Sequence, residues 1–165
     1  MKPTLLFGAA ALLLVAGCNE SGTRPDTPLE ITHITPTGQP VYYSGMMEPL
    51  RAAVFDEAKL AEYWNQAFPD GDPATEPPKV DFSREFVVVA AAGERSSGGN
   101  EIEVTHANGE GRAVEVVILT TTPGKNCVVT LATTRPVDFV KITRPTSGAT
   151  PVTFVERTTS LNCNP

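Results

Sequence analysis

The chain has 165 residues, of which 13 are basic and 19 acidic, and its formal net charge is −6 at pH 7. This length suits a single domain that can bury a hydrophobic core. The acidic balance and the lack of a basic stripe argue against nucleic-acid binding and against charge-driven binding to anionic lipid.

Residues 1–18 have the pattern of a bacterial lipoprotein signal. A short charged start precedes an apolar run from Leu5 to Val15, which is too short for a membrane span but typical of a secretory signal. Two small residues then precede Cys18, as in the lipobox of lipoprotein signal peptidase substrates. We therefore predict that residues 1–17 are a cleaved signal peptide and that Cys18 becomes an acylated, palmitate-type membrane anchor. An ordinary signal with an incidental cysteine is the alternative.

The anchor predicts a place in the bacterial cell envelope. Asn19 rather than Asp follows the cysteine, which favours an outer-membrane protein facing the periplasm in a host with two membranes. Residues 18–35 are interpreted as the lipidated cysteine and a flexible, polar, proline-containing tether, although Leu29–Thr35 could also be a first short strand. Residues 36–165 are predicted to form one β-rich domain.

The remaining cysteines, Cys127 and Cys163, are predicted to form a disulfide, because the envelope is an oxidising compartment. Two unpaired thiols are the alternative. A metal site is less well supported, since neither cysteine has a CxxC partner and the histidines are limited to His33 and His106. No cofactor is expected.

One amphipathic helix is predicted over Asp56–Phe68. Asp56 can accept a backbone N–H of the first turn. Leu60, Trp64 and Phe68 recur at helical spacing and would form one apolar face.

The rest of the chain predicts strands. Phe86–Ala92 is a continuous apolar run, typical of a central strand buried on both faces. Glu101–His106 alternates and would place His106 on the buried face, before a turn at residues 108–111. The other predicted strands are Arg51–Phe55, Arg112–Thr120, Cys127–Thr133, Asp138–Thr143 and Val152–Arg157. The predicted fold class is α+β and β-rich, a mostly antiparallel sheet or sandwich of about seven strands with one early helix.

The glycine-rich loop at residues 93–100 is the most unusual segment. Such loops bind phosphate before a helix N-terminus, whereas an acidic strand follows here, which argues against nucleotide binding. A need for positive φ at Gly98 and Gly99 is the structural explanation, and a protein-contact loop is the functional one. Ser96 and Ser97 lack a positioned base. We assign no catalytic residue and no metal ligand.

Several segments resemble the PrcB domain family, over roughly residues 44–158. The most specific is the loop at residues 93–100, which in the family usually reads G-x-R-P-T-G-G-Y. Here Ser96-Ser97 replaces Pro-Thr, and Asn100 replaces the aromatic residue. The other matching segments are Ser44-Gly45 through the Trp64 helix, Val80-Asp81-Phe82, Phe86–Ala92, Cys127-Val128-Val129-Thr130, Thr134-Arg135-Pro136 and Phe139-Val140-Lys141-Ile142. The resemblance implies a secreted or lipid-anchored domain that is a non-catalytic partner of a protease and stabilises it.

The resulting hypothesis is a non-catalytic envelope lipoprotein whose domain binds and stabilises a partner protein such as a protease. Two alternatives remain: a protease-inhibitor-like module that presents loops to an active-site cleft, and a small hydrolase or carbohydrate-binding protein, which would need a deep polar pocket. Exposed tyrosines at Tyr42 and Tyr43 would join the contact. The expected contact residues of the loop are Arg95, Ser96, Ser97, Gly98, Gly99 and Asn100.

Overall fold

The computed structural model describes residues 27–69, 76–146 and 150–163. The predicted signal peptide, Cys18 and the first part of the tether lie outside the described residues. Within these ranges the chain forms eight strands and one helix: β1 (Thr27–Pro28), β2 (Ile31–His33), β3 (Pro49–Val54), α1 (Glu57–Ala67), β4 (Glu85–Ala92), β5 (Glu101–Glu110), β6 (Ala113–Thr122), β7 (Val137–Thr143) and β8 (Val152–Ser160). The predicted β-rich α+β class with one early helix is confirmed.

The strands form two four-stranded sheets. The first sheet has the order β1-β5-β6-β8, and the second has the order β2-β7-β4-β3. Neighbouring strands are antiparallel, except that β6 and β8 run parallel. Helix α1 packs on the face of the second sheet that is turned away from the first, so the domain has three layers.

Strand β4 explains the three layers, because both of its faces are apolar. Phe86 and Val88 point into the core between the sheets, whereas Val87 and Val89 point into the core between the second sheet and the helix. Since successive side chains of a strand point to opposite faces, a strand between two cores must be apolar at every position. The central, doubly buried strand predicted from Phe86–Ala92 is confirmed.

Helix α1 also forms as predicted. Asp56 is its N-cap, and the carboxylate accepts the backbone N–H of Lys59 at 2.8 Å. Leu60 and Trp64 are buried against the second sheet, where the indole ring meets Phe139 edge-on with centroids 5.1 Å apart. Among the described residues, no helix is both long enough and apolar enough to cross a bilayer.

Strand β5 differs from the prediction in two respects. It continues to Glu110, so the hairpin turns at Gly111 and not at residues 108–111 as a whole. A register shift between Val104 and His106 turns His106 outward and places Ala107 in the core. The prediction that His106 lies on the buried face is wrong, because one extra residue in a bulge reverses the alternation.

The strand predicted at residues 127–133 is absent. This segment has no assigned helix, strand, turn or bend, and the side chains of Val128 and Leu131 are 102% and 93% exposed. The alternation of apolar and polar residues favours a strand, but a strand forms only where a neighbouring strand is available for hydrogen bonding. The strand that follows this segment in the chain, β7, already has β2 and β4 as its two neighbours.

The domain begins earlier than residue 36. Thr27 and Pro28 pair with β5, and Ile31–His33 pairs with β7. The structure therefore shows a short strand within Leu29–Thr35, and the second part of the proposed tether belongs to the two sheets.

Candidate protein-contact surface

Four segments meet at one end of the two sheets, which we call the loop end. The strand registers bring them together. Strand β4 ends where β7 begins, since Ala91 pairs with Val137, and β5 begins where β6 ends, since Glu101 pairs with Thr121. The segments are residues 34–48, 93–100, 123–136 and 161–163.

The N-terminal entry into the domain lies at the opposite end. Thr27 pairs with Gly109, next to the β5–β6 turn at Gly111 and Arg112. Strand β5 has 10 residues, and at about 3.4 Å per residue it separates the two ends by roughly 30 Å. A chain that enters at Thr27 therefore leaves the loop end on the far side of the domain.

Exposed apolar side chains concentrate at the loop end. Seven large hydrophobic residues are exposed in the described ranges, and one of them, Phe55, lies at the opposite end. Single exposed apolar side chains are normal on a soluble protein, whereas a concentration of them marks a contact surface. The six at the loop end are Tyr42, Tyr43, Met47, Val128, Leu131 and Leu161.

The glycine-rich loop is held in place by its neighbour segment. The backbone groups of Arg95 and Thr134 bond to each other at 2.8 and 3.0 Å, and the Thr134 hydroxyl donates to the Ser97 carbonyl at 2.9 Å. Asn100 is only 8% exposed, and its amide also donates to the Ser97 carbonyl at 2.9 Å. Asn100 therefore organises the loop from inside and is not itself positioned as a contact residue.

Both loop glycines have a structural reason. Gly99 has φ 74°, a conformation that favours glycine. Gly98 lacks a positive φ, but its N–H bonds the Thr130 carbonyl at 2.9 Å, and a Cβ at this position would lie 2.5 Å from the Thr130 hydroxyl oxygen. The predicted positive φ is thus found at Gly99, while Gly98 allows a close approach.

Arg95 is one of the charged residues at the loop end, together with the exposed Glu48 and Lys125. Arg135 is already paired with Glu94 at 2.8 Å. The Arg95 guanidinium, in contrast, makes no hydrogen bond or ion pair with any residue that the structure describes. Arg95 and the exposed Ser96 are therefore the loop side chains available to a partner.

Both tyrosines are exposed, as is required of residues that contact a partner. Tyr43 is 66% exposed and Tyr42 is 46% exposed. The Tyr42 hydroxyl donates to Glu101 Oε1 at 2.6 Å, and this hydrogen bond, with partial burial, raises the pKa of Tyr42. Tyr42 is thus fixed in orientation, while Tyr43 remains open for contact.

A disulfide ties the loop end together. Cys127 and Cys163 are joined, with Cα atoms 5.0 Å apart, which confirms the predicted pair. The Leu161 N–H also bonds the Thr122 carbonyl at 2.9 Å. The C-terminal segment after β8 is therefore fastened to the segment at residues 123–136.

Residues 86–143 match the family model described as PrcB C-terminal. The PrcB C-terminal match runs from β4 to β7, so it includes the glycine-rich loop and the segment at residues 123–136. It confirms the resemblance over this part of the chain. Comparison with curated proteins and with solved structures found no significant match.

A cleft of about 430 Å³ lies beside this surface. It is lined mainly by residues 38–42 together with His33, Glu101 and Glu103, and by Pro136 from the PrcB C-terminal match. In the described ranges, no group of three or more His, Cys, Asp or Glu side chains could hold a metal ion.

Asp138, also within the PrcB C-terminal match, is a buried carboxylate that the sequence analysis missed. It is fully buried, accepts the Val104 N–H at 2.8 Å, and lies 2.9 Å from His33 Nδ1. Burial raises the pKa of its carboxyl group, and the Val104 and His33 hydrogen bonds oppose that rise. A charged residue inside the apolar run of β7 was the available signal. Since its partners lie on β5 and β2, Asp138 links the two sheets.

Proposed function

We propose that this protein is a non-catalytic envelope lipoprotein whose loop end binds and stabilises a partner protein, with a protease as the partner class favoured by the PrcB C-terminal match. The observation that supports this most directly is the concentration of exposed apolar side chains at the loop end. A partner that covers them removes apolar surface from water, at roughly 25 cal/mol per Å². Arg95 adds a charge that can recognise a partner carboxylate.

The proposed anchor fits the placement of the surface. With Cys18 acylated, the protein is held in the bacterial envelope, and in a host with two membranes we place it on the outer membrane facing the periplasm. Thr27 enters the domain at the end opposite the loop end, so the contact surface faces away from the lipid. Anchoring also raises the local concentration of the domain, which compensates for a modest affinity.

Crosslinking in native membranes, followed by mass spectrometry, tests the contact surface. Arg95→Glu reverses the unpaired charge and should remove the partner adducts of the wild-type protein. Arg112→Glu is the matched control, because Arg112 is an exposed arginine in the turn at the opposite end, and it should keep the adducts. An identical adduct profile for Arg95→Glu and wild type would exclude this surface.

The anchor has a separate test. Cys18→Ser removes the acyl acceptor and should give an uncleaved or soluble product. Membrane fractionation after a high-salt wash measures this. A variant that partitions into membranes as fully as the wild type would contradict the lipoprotein assignment.

Protease inhibition is the second candidate function. It is favoured by the exposed Val128 and Leu131 side chains on a segment fastened at Cys127 by a disulfide, since an inhibitor must present a constrained, accessible segment to an active-site cleft. Purified protein should then slow a protease in proportion to the molar ratio. A lack of effect on a panel of serine, cysteine and metalloproteases would argue against it.

A further inference from the structure

Residues 128–133, which we call the free segment, have a strand-forming sequence without a strand neighbour. Val128, Val129, Thr130 and Thr133 are β-branched, which favours an extended conformation. The whole stretch from residue 126 to residue 134 carries no charged side chain, although the chain as a whole is 19% charged.

One edge of the free segment is occupied, and the other is open. The Thr130 carbonyl accepts the Gly98 N–H, and both backbone groups of Thr134 bond Arg95. The backbone groups of successive residues in an extended chain point to opposite sides, so in an extended free segment those of Val129, Leu131 and Thr133 would point away from the loop. Within the described ranges, no hydrogen bond reaches the backbone of these three residues.

An open edge of this kind invites pairing with another strand. Proteins usually protect such edges with charged side chains, proline or a covering segment, and the free segment has neither a charge nor a proline. Its Val128 and Leu131 side chains are fully or almost fully exposed. The outer backbone edge of the free segment thus has no strand to pair with, and its Val128 and Leu131 side chains have no packing partners.

We propose that the free segment pairs antiparallel with the free segment of a second copy of this chain. A two-fold axis at Leu131 places Leu131 opposite itself and Val129 opposite Thr133. All three open residues then exchange backbone hydrogen bonds, about six in total. No like charges meet across the pair, and the two exposed leucines cover each other.

The expected dimer is weak in solution. A single pair of short strands lies at the small end of the interface sizes that hold stable complexes. Anchoring both copies to one membrane raises their local concentration and favours pairing. Because Arg95 and Gly98 bond the inner edge of the free segment, a dimer would carry its two glycine-rich loops on its two outer edges, with the paired free segments between them. The pairing does not depend on the proposed partner binding, but a second copy and a partner protein cannot both cover the Leu131 side chain of one molecule.

Disulfide trapping in native membranes tests the register. In the proposed pair, opposite Cα atoms at Leu131 are about 5.5 Å apart, within the range a disulfide can bridge. Leu131→Cys should give a reducible homodimer under mild oxidation. Thr130→Cys is the matched control, because Thr130 faces Ala132 of the other copy and would be about 7–8 Å or more from itself; we expect at least about tenfold less dimer.

Two proline variants, each made in the Leu131→Cys protein, test the hydrogen bonding. Thr133→Pro removes an outward N–H and should abolish the trapped dimer. Ala132→Pro removes an inward N–H that bonds nothing in the described ranges, and it should keep the dimer, while circular dichroism checks that both variants fold. Equal trapping at residues 130 and 131, equal loss in both proline variants, an adduct with a different protein, or no trapping at all would overturn the proposal.

Discussion

Asp138 shows how one residue can hold two sheets together. It is the only charged side chain among the buried polar residues that the structure describes. Its two oxygens serve two strands, with Val104 of β5 on Oδ2 and His33 of β2 on Oδ1. An unsatisfied buried N–H costs about 1–3 kcal/mol, so the carboxylate fills a need of the backbone as well as of the histidine.

The raised pKa of Asp138 gives a pH prediction. When burial raises the folded-state pKa of Asp138 above the ordinary aspartate value of 3.8, the folded state binds the proton more tightly than the unfolded state. The contribution to stability is then present below pH 3.8 and is lost as pH rises through the folded-state pKa. Between pH 7 and pH 4 we expect the wild type to gain stability relative to Asp138→Asn, measured by urea unfolding.

A matched variant separates this effect from general acidification. Glu110→Gln changes an exposed side chain at the far end of β5, six residues along the strand from Val104, and should follow the wild-type pH dependence closely. If the wild type instead lost stability relative to Asp138→Asn on acidification, the hydrogen bonds from His33 and Val104 would outweigh burial.

Gly93 and Gly38 have nearly the same backbone conformation, with φ values of 73° and 68°, but different surroundings. A Cβ on Gly38 would have nothing within 4 Å, whereas a Cβ on Gly93 would lie 2.8 Å from the backbone nitrogen of Pro49. Gly38→Ala should cost about 1–2 kcal/mol from the backbone conformation alone, and Gly93→Ala should cost clearly more. Thermal unfolding measures both, and equal costs would show that the loop near Pro49 yields easily.

Among the secondary-structure elements, local patterns predicted those that their own sequence determines. Helix α1 has its cap at Asp56 and its apolar face in consecutive turns, and β4 is apolar at nearly every position, so both could be recognised from a short window. The bulge in β5 could not be recognised in this way, because the inserted residue does not change the alternation of the residues that precede it. The free segment has the pattern of a strand but has no neighbouring strand within the described fold.

The disulfide joins two loop segments that are far apart in the sequence. Cys127 and Cys163 are 36 residues apart, and closing a loop of this size stabilises the folded state by about 3–4 kcal/mol in the chain-entropy model. The double variant Cys127→Ser, Cys163→Ser should therefore lose about that much unfolding free energy in urea. Wild-type protein under reducing conditions is the control and should lose a similar amount; an unchanged midpoint in both would contradict the prediction.

For the whole molecule, the arrangement of the candidate surface depends on long-range topology. The loop residues proposed from sequence do lie at the loop end, but Asn100 is buried there, and the exposed Val128 and Leu131 were expected within a strand. The parallel pairing of β6 and β8 and the entry of Thr27 beside Gly109 also set this arrangement. Such pairings connect distant parts of the chain, so no local window of sequence reports them.

The entry point of the chain predicts how the domain stands on the membrane. If Cys18 is acylated, the turn at Arg112 lies near the lipid, and Ser96 at the loop end lies roughly 30 Å farther away. Fluorophores attached through Arg112→Cys and Ser96→Cys should then differ in energy transfer to an acceptor in the lipid headgroups, with the stronger transfer from position 112. Deleting residues 19–26 should bring the domain closer and strengthen both signals while keeping their order. Equal transfer from the two positions would mean that the domain lies on its side, where the membrane would block part of the loop end.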